Sequence, residues 1–172
     1  APTLMPGDYK TGPHIDLMCA QLQELFEETR RSIKNPKDVD APRLMINIAP
    51  GAMKSIILCL FISWVYGQQP TWRIIHLGHS GQFAADNYGA QTRDIMKSPE
   101  YGQIFPGVTI REDTDAKGRW NTNRGGQYIA KGVGQKITGR RAHIAVVDDP
   151  LSAQDAESKI EREKKNKWYT PG

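Results

Sequence analysis

The 172-residue sequence is poor in the residues that form disulfides and metal sites. It contains 2 cysteines and 4 histidines, and the histidines are scattered without the spacing of metal ligands. Cys19 and Cys59 both lie in apolar helical contexts, so we interpret them as reduced core residues of a cytosolic protein. The sequence therefore predicts neither a disulfide framework nor a zinc site.

Long hydrophobic runs are also missing. The most apolar stretch, 56–66, is too short to cross a bilayer and lies in the middle of the chain, so we expect neither a membrane anchor nor a signal peptide. A chain of this length fits one domain that buries about 70% of its unfolded surface. The 23 Lys and Arg against 19 Asp and Glu give a net charge of +4, which is compatible with a polyanionic partner but also common in proteins without one.

The segment 45–55, MINIAPGAMKS, has the order of elements that a phosphate-binding loop requires. The run 44–48 is apolar and β-branched, which predicts a buried strand. The turn 49–51 breaks this strand, and Lys54 and Ser55 then precede a long apolar helix. In such a loop, backbone N–H groups and the helix N-terminus face the anion, the lysine meets the β- and γ-phosphates, and the hydroxyl holds Mg²⁺.

The match to the strict pattern G-x-x-x-x-G-K-[ST] is incomplete. Ile48 and Met53 stand where the pattern has glycine, and Gly51 supplies the unrestrained backbone inside the turn. A positive φ at Met53 would cost roughly 1 kcal/mol or more. Taken alone, the segment is compatible with a nucleotide site and equally with an ordinary strand-to-helix turn followed by a solvated lysine.

The patterns outside this loop predict an α/β fold. We expect a flexible N-terminal arm over 1–13 and a single domain over 14–172. Apolar spacing and turn signals predict helices that begin at Pro13 and Ile56 and that cover 82–97 and 152–168, strands over 73–78 and 143–147, and a β-ribbon or meander over 108–132. The alternation of strands and helices predicts a mostly parallel central sheet flanked by helices.

The strand predicted at 143–147 ends in Asp148 and Asp149. A buried strand that runs into adjacent acids is typical of the second half of a P-loop ATPase site, in which the first acid orders water on Mg²⁺ and the second polarises the attacking water. Strand ends also carry aspartate as a turn or helix cap. Because ligands of open α/β sheets bind at the carboxyl ends of the strands, the coincidence of the two segments favours a nucleotide site.

A longer series of segments adds to these two motifs. In chain order they are PHIDLMCAQL, RLMINIAPGAMKSI, RIIHLGHSGQFAADN, SPEYGQIFP, RGGQYIAKGVGQKITGRRAHIAVVDDPLSAQDAES and the closing WY. Through them nearly the whole chain resembles the N-terminal ATPase domain of the large terminase subunit, the motor that packages double-stranded DNA into tailed-bacteriophage capsids. The resemblance implies a P-loop ATPase fold of the additional-strand type. Part of this family has methionine before the lysine, which makes Met53 a family variant.

The resemblance implies an ATP and Mg²⁺ site. The phosphates would be cradled by Pro50, Gly51, Ala52 and Met53 and bound by Lys54, which also acts in catalysis, while Ser55 and Asp148 would hold the metal.

Further roles are implied outside the loop. Asp149 would be the catalytic acid, at a place where many relatives have a glutamate. His14 and Asp16 resemble the adenine-side motif, although they are also compatible with an ordinary polar helix start. Arg140 or Arg141 would be the arginine donated to a neighbouring subunit, with a solvated basic pair as the alternative. Many large terminases carry an arginine where Gly51 stands, so that charge must come from elsewhere.

The resemblance also implies partners: double-stranded DNA bound through its phosphates without sequence readout, the portal protein, the small terminase subunit, and copies of the chain in a homo-oligomeric ring. No membrane partner is implied, and the location would be the cytoplasm of the infected bacterial host. In this family the chain continues into a strand with a coupling motif and then a nuclease domain. Since neither is visible here, we expect no nuclease activity and weak ATP turnover.

Three alternatives stay open. The chain is also compatible with a nucleotide-binding assembly or portal-docking module with little or no turnover. A helicase-type ATPase fragment would separate nucleic-acid strands. A salt-sensitive DNA-binding protein without a nucleotide role would keep its DNA affinity after Lys54→Ala.

Overall fold

The computed structural model describes residues 12–35, 41–137 and 141–169. The helices are α1 (Pro13–Lys34), α2 (Lys54–Gln68), α3 (Gly81–Phe83), α4 (Ala90–Lys97), α5 (Pro99–Ile104), α6 (Ala153–Glu157) and α7 (Lys159–Tyr169), with a π-helix over Ala84–Gly89. The strands are β1 (Arg73–Gly78), β2 (Ile110–Ala116), β3 (Arg119–Thr122), β4 (Gln127–Gly132) and β5 (Ile144–Val147). Within these ranges, each helix is too short or too polar to span a bilayer.

The five strands form one mixed sheet with the order β2-β3-β4-β1-β5. β1 pairs in parallel with β4 and β5, whereas β3 pairs antiparallel with β2 and β4. The α/β class is confirmed, but the prediction of a mostly parallel sheet is wrong. The strands of the predicted meander extend the main sheet, and the turns 117–118 and 123–126 that join them are too short for the crossover that parallel pairing requires.

The segment 44–48, predicted as a buried strand, pairs with none of the described strands. Leu44, Ile46 and Ile48 nevertheless pack against the core, while Met45 between them is 72% exposed. The apolar run thus correctly indicated that one side of this segment packs against the core. The prediction of a strand is wrong because a strand also needs a hydrogen-bonded neighbour, and the segment pairs with none of the described strands.

α2 is the helix around which the core is built. Phe26 of α1 packs against its Trp64 with ring centroids 4.7 Å apart. From the same helix, Tyr66 packs against Trp120 of β3 at 5.1 Å and donates a hydrogen bond to the carbonyl oxygen of Gln127 at 2.7 Å. These contacts anchor α2 to α1 and to the meander, and so fix the position of its first turn.

The long helix predicted at 152–168 is divided at Ser158. Ser152 caps α6 in a capping box with Asp155, as its position before the helix predicts. Ser158 adopts an extended backbone, with φ −86° and ψ 117°, and its hydroxyl accepts a hydrogen bond from the Glu161 N–H at 3.4 Å. A serine side chain can hydrogen-bond to nearby backbone N–H groups and so competes with the backbone hydrogen bonds of a continuous helix, which explains the break.

The two cysteines differ in their surroundings. Cys59 is buried, whereas Cys19 is exposed, so the interpretation of Cys19 as a core residue is wrong. It follows the buried Met18 by one position, and one helical step of about 100° turns it out of the core.

Pro13 is the first residue of α1, so the helix begins inside the predicted arm; residues 1–11 lie outside the described part of the chain.

Candidate functional site

The two predicted halves of the nucleotide site meet in space. Lys54 Nζ lies 2.7 Å from Asp148 Oδ1 and 2.6 Å from Asp149 Oδ1. Ser55 Oγ donates a hydrogen bond to Asp148 Oδ2 at 2.6 Å. The structure therefore brings together the lysine, the hydroxyl and both acids that the sequence singled out, although they come from segments more than 90 positions apart.

Asp148 is held rigidly at the end of β5. Its backbone N–H donates to the carbonyl oxygen of Leu77 at 2.9 Å, which continues the parallel pairing of β5 with β1. The residue is only 1% exposed. A carboxylate this deeply buried is unfavourable unless it is paired and hydrogen-bonded, and Lys54 and Ser55 satisfy that need. The Asp149 side chain, in contrast, is 55% exposed.

Lys54 is a strong cation in this environment. Partial burial alone would lower the pKa of Lys54, but the hydrogen bonds and charges of Asp148 and Asp149 outweigh burial and raise this pKa above its usual value. The ammonium is therefore protonated at neutral pH and available to a phosphate.

Backbone strain concentrates at the same place. Met53 has φ 61° and Asp149 has φ 44°, and they are the non-glycine residues with a left-handed backbone in the described ranges. Each such residue costs of order 1 to 3 kcal/mol and persists only where the surroundings enforce it. The positive φ considered for Met53 from the loop pattern is thus present, directly before Lys54. Strain of this kind clusters at functional sites, which supports a function for this loop.

The first turn of α2 has free N–H groups. In the described part of the chain, the N-cap residue Met53 makes no side-chain capping hydrogen bond, and the first turn of α2 contains no acidic residue. The first backbone hydrogen bond of the helix runs from the Ile57 N–H to the Met53 carbonyl oxygen, so the N–H groups of residues 54–56 have no intrahelical acceptor. Together with the helix dipole and the Lys54 ammonium, these groups suit an anion such as a phosphate.

Gly51 has a left-handed backbone conformation, with φ 81°, which the turn of the loop requires. A Cβ added there would touch nothing within 4 Å, so Gly51→Ala tests the backbone conformation without a steric clash. We expect this variant to lose about 1 kcal/mol of stability in urea denaturation. Gly102, inside α5, is the matched control because its Cβ would also meet open space. Gly102→Ala should gain about 0.5–1 kcal/mol, and changes of equal sign in the two variants would contradict the expectation.

The other residues predicted for the site, where the structure describes them, make no such contacts with the two acids. His14 and Asp16 are exposed on the first turn of α1, and Arg141 is exposed ahead of β5. Within the described ranges, no hydrogen bond or ion pair joins these three to the loop or to the two acids. Arg140 lies outside the described residues. Pro50 is exposed and Ala52 is half-buried, both beside Gly51 in the loop.

The structure also shows a cavity of about 720 Å³ beside the site. Ser55 and Asp149 line one part of it, and the π-helix lines another through Asn87 and Tyr88. Sequence reasoning missed Tyr88, because the 82–97 segment follows an ordinary helical pattern and nothing in it indicates a π-helix. Such segments are rare and occur frequently at functional sites.

The side chains of the site supply only some of the oxygen ligands that Mg²⁺ requires, and a nucleotide would have to supply the rest. In the described residues, no group of three histidine, cysteine or carboxylate side chains could hold a metal ion by itself. Mg²⁺ does not require such a group, because it is usually bound through one or two carboxylates together with water and substrate phosphates. A buried Asp148 beside the Ser55 hydroxyl therefore fits a metal that arrives with a nucleotide.

Comparison with known proteins gives no match, whether with protein-family models, curated proteins or solved structures. The resemblance to terminases therefore stays a prediction, and a functional proposal depends on the geometry of the site.

Proposed function

We propose that this chain is a P-loop ATPase domain that binds and hydrolyses ATP with Mg²⁺. The proposal depends above all on the contact of Lys54 and Ser55, at the start of α2, with Asp148 at the end of β5. The binding of a nucleoside triphosphate with its metal requires four kinds of group. The site has all of them: an uncapped helix N-terminus, a protonated lysine, a hydroxyl and a buried acid.

Each residue has a role that its position allows. Lys54 binds the β- and γ-phosphates, and the N–H groups of the loop and of the first turn of α2 surround them. Ser55 and Asp148 hold Mg²⁺, which neutralises charge that develops on the phosphates. Asp149 is exposed to the cavity and orients the attacking water. In the structure Lys54 and Ser55 are bonded to the acids, so MgATP binding requires them to exchange partners.

In its wider role, we propose the motor domain of a viral terminase large subunit, which drives double-stranded DNA into capsids. This step rests on the ordered sequence resemblance. It includes phosphate contacts to DNA, a ring of copies completed by a neighbour's arginine, the portal protein and small terminase subunit as partners, and the host cytoplasm as the location. DNA affinity should then fall steeply with salt, since phosphate contacts release counterions.

One observation favours a second candidate, a nucleotide-binding assembly module with little turnover. Asp149 is a short acid already engaged by Lys54 at 2.6 Å. This contact occupies Asp149 Oδ1, so the orientation of an attacking water would depend on the other oxygen of the same carboxylate. Binding without phosphate release would support this candidate over the motor.

The direct test is a titration of the chain with a fluorescent ATP analogue, with Mg²⁺ and with EDTA, together with a phosphate-release assay. We expect saturable binding that is tighter with Mg²⁺, and slow phosphate release. Asp148→Asn should remove the gain from Mg²⁺, whereas Lys97→Ala, which breaks an ion pair with Asp115 outside the site, should leave it unchanged. The proposal is wrong if wild type shows no saturable binding at millimolar nucleotide.

A further inference from the structure

A buried polar cluster, formed by Tyr88, His76 and Tyr128, lies behind the proposed metal acid and has no part in the roles above. Tyr88 is 2% exposed and His76 is fully buried. Their rings stack with centroids 4.3 Å apart and planes at 9°. His76 Nδ1 lies 3.1 Å from the Tyr128 hydroxyl, so the histidine is fixed in turn by the sheet.

The Tyr88 ring has little freedom to move. Besides the stack on His76, it meets Phe83 edge-on, with centroids 5.4 Å apart and planes at 88°. Gly78, at the end of β1, makes room for it, since a Cβ there would lie 3.2 Å from the ring. The π-helix supplies the backbone, and the Tyr88 carbonyl oxygen accepts a contact from Cys59 Sγ at 3.7 Å. The direction of the hydroxyl is therefore determined by packing.

That hydroxyl interacts with the Asp148 carboxylate without forming a regular hydrogen bond. It is buried and has no regular hydrogen-bond partner within the described ranges. Tyr88 lines the same cavity as Ser55 and Asp149. Burial and the adjacent Asp148 carboxylate both raise the pKa of Tyr88, so the hydroxyl keeps its proton. On the other side, Asp148 Oδ1 contacts the Lys54 ammonium and accepts no further hydrogen bond in the described residues.

We infer that the Tyr88 hydroxyl is a positioning donor that holds Asp148 when Lys54 leaves it for the phosphates. This inference rests on the proposed function. Without a replacement, the exchange would leave one oxygen of a 1%-exposed carboxylate without a hydrogen-bond partner, which is unfavourable even when the metal binds the other oxygen. A hydrogen bond from Tyr88 fixes the orientation of Asp148 so that its other oxygen faces the metal. Partners of this kind typically change metal affinity by about 10- to 100-fold.

The test is Tyr88→Phe, which removes the hydroxyl and keeps the ring and its stack on His76. In the nucleotide-free chain, we expect an unchanged or slightly higher unfolding midpoint, because a buried donor without a partner is removed. The Mg²⁺ concentration that gives half of the metal-dependent gain in ATP-analogue affinity should rise by about tenfold. Affinity in EDTA should stay the same.

Tyr101→Phe is the matched control. Tyr101 is also 2% exposed, but its hydroxyl donates to the Ser63 carbonyl oxygen at 2.9 Å. This variant should be less stable than wild type and keep the wild-type Mg²⁺ dependence.

The outcomes separate the inference from the proposed function. If wild type shows Mg²⁺-dependent binding and Tyr88→Phe shows the same dependence, Tyr88 is only a core residue and the inference is wrong. An equal loss in Tyr101→Phe would overturn it as well, since that loss would come from a loosened core. If wild type lacks Mg²⁺-dependent binding, the proposed function itself fails.

Discussion

Lys54→Ala is expected to abolish measurable MgATP binding and to lower the free energy of unfolding by about 2 kcal/mol. Both effects have one physical cause, the loss of the ammonium group. Its removal leaves the 1%-exposed Asp148 carboxylate with Ser55 as its remaining partner. Breaking a fully buried pair costs about 3–5 kcal/mol; the effect here is smaller because the Lys54 side chain is 27% exposed. Urea denaturation and nucleotide titration of the same samples measure the two losses.

A double variant distinguishes the two effects. Lys54→Ala combined with Asp148→Asn should recover most of the lost stability, because the uncompensated charge is gone, yet it should not recover nucleotide binding. Lys159→Ala is the control, since that lysine side chain is 82% exposed and makes only a 4.0 Å contact with Glu163. A Lys54→Ala variant that is as stable as wild type would show that the buried carboxylate does not depend on this cation.

Stability is expected to fall as the pH decreases from 6.5 to 4, because of His76. Burial lowers the pKa of His76 from 6.5 to about 4, and the opposing charge of Asp148 only partly offsets that effect. Below pH 6.5 the unfolded chain takes up a proton on this histidine, whereas the folded chain does not until about pH 4. The contribution of His76 to stability is therefore fully present above this window, decreases across it and is lost below it; it amounts to about 3 kcal/mol.

His76→Phe tests this assignment, because phenylalanine keeps an aromatic ring beside Tyr88. The variant should be less stable at pH 7, since the Tyr128 hydroxyl loses its partner, but its stability should change much less between pH 6.5 and 4. In this variant, His143 should still cause a smaller decrease of stability as the pH falls, because partial burial and Arg73 lower the pKa of His143 as well. Urea midpoints at pH 7, 5.5 and 4.5 give the comparison, and equal slopes in wild type and His76→Phe would contradict it.

The sequence indicated the parts of the fold that depend on local chemistry. The strand Arg73–Gly78 has the predicted bounds, because a β-branched apolar run there is followed directly by a turn and a capping serine. Lys54 and Asp148 meet, and each follows an apolar segment that packs against the core. These are consequences of burial, which hydrophobic patterns record.

The features that the sequence did not indicate depend on backbone partners and helix geometry. The segment 44–48 has the pattern of a strand but pairs with none of the described strands. The meander predicted over 108–132 implies antiparallel strands, and β2, β3 and β4 pair in that way. The sequence did not indicate that these strands would extend the main sheet. Tyr88 could not have been placed, because a π-helix shifts the residues that follow away from the face that a 3.6-residue period assigns.

In the proposed site, the Lys54 ammonium competes with the divalent cation for the Asp148 carboxylate. A metal ion that arrives alone must displace the ammonium from Asp148 and brings no anion to which the ammonium can move. A nucleotide supplies new anionic groups for the displaced lysine and thereby frees the acids. Metal and nucleotide should accordingly strengthen each other's binding by the same factor, as linkage requires. Such reciprocity would make this pocket selective for the complex of the two over either species alone.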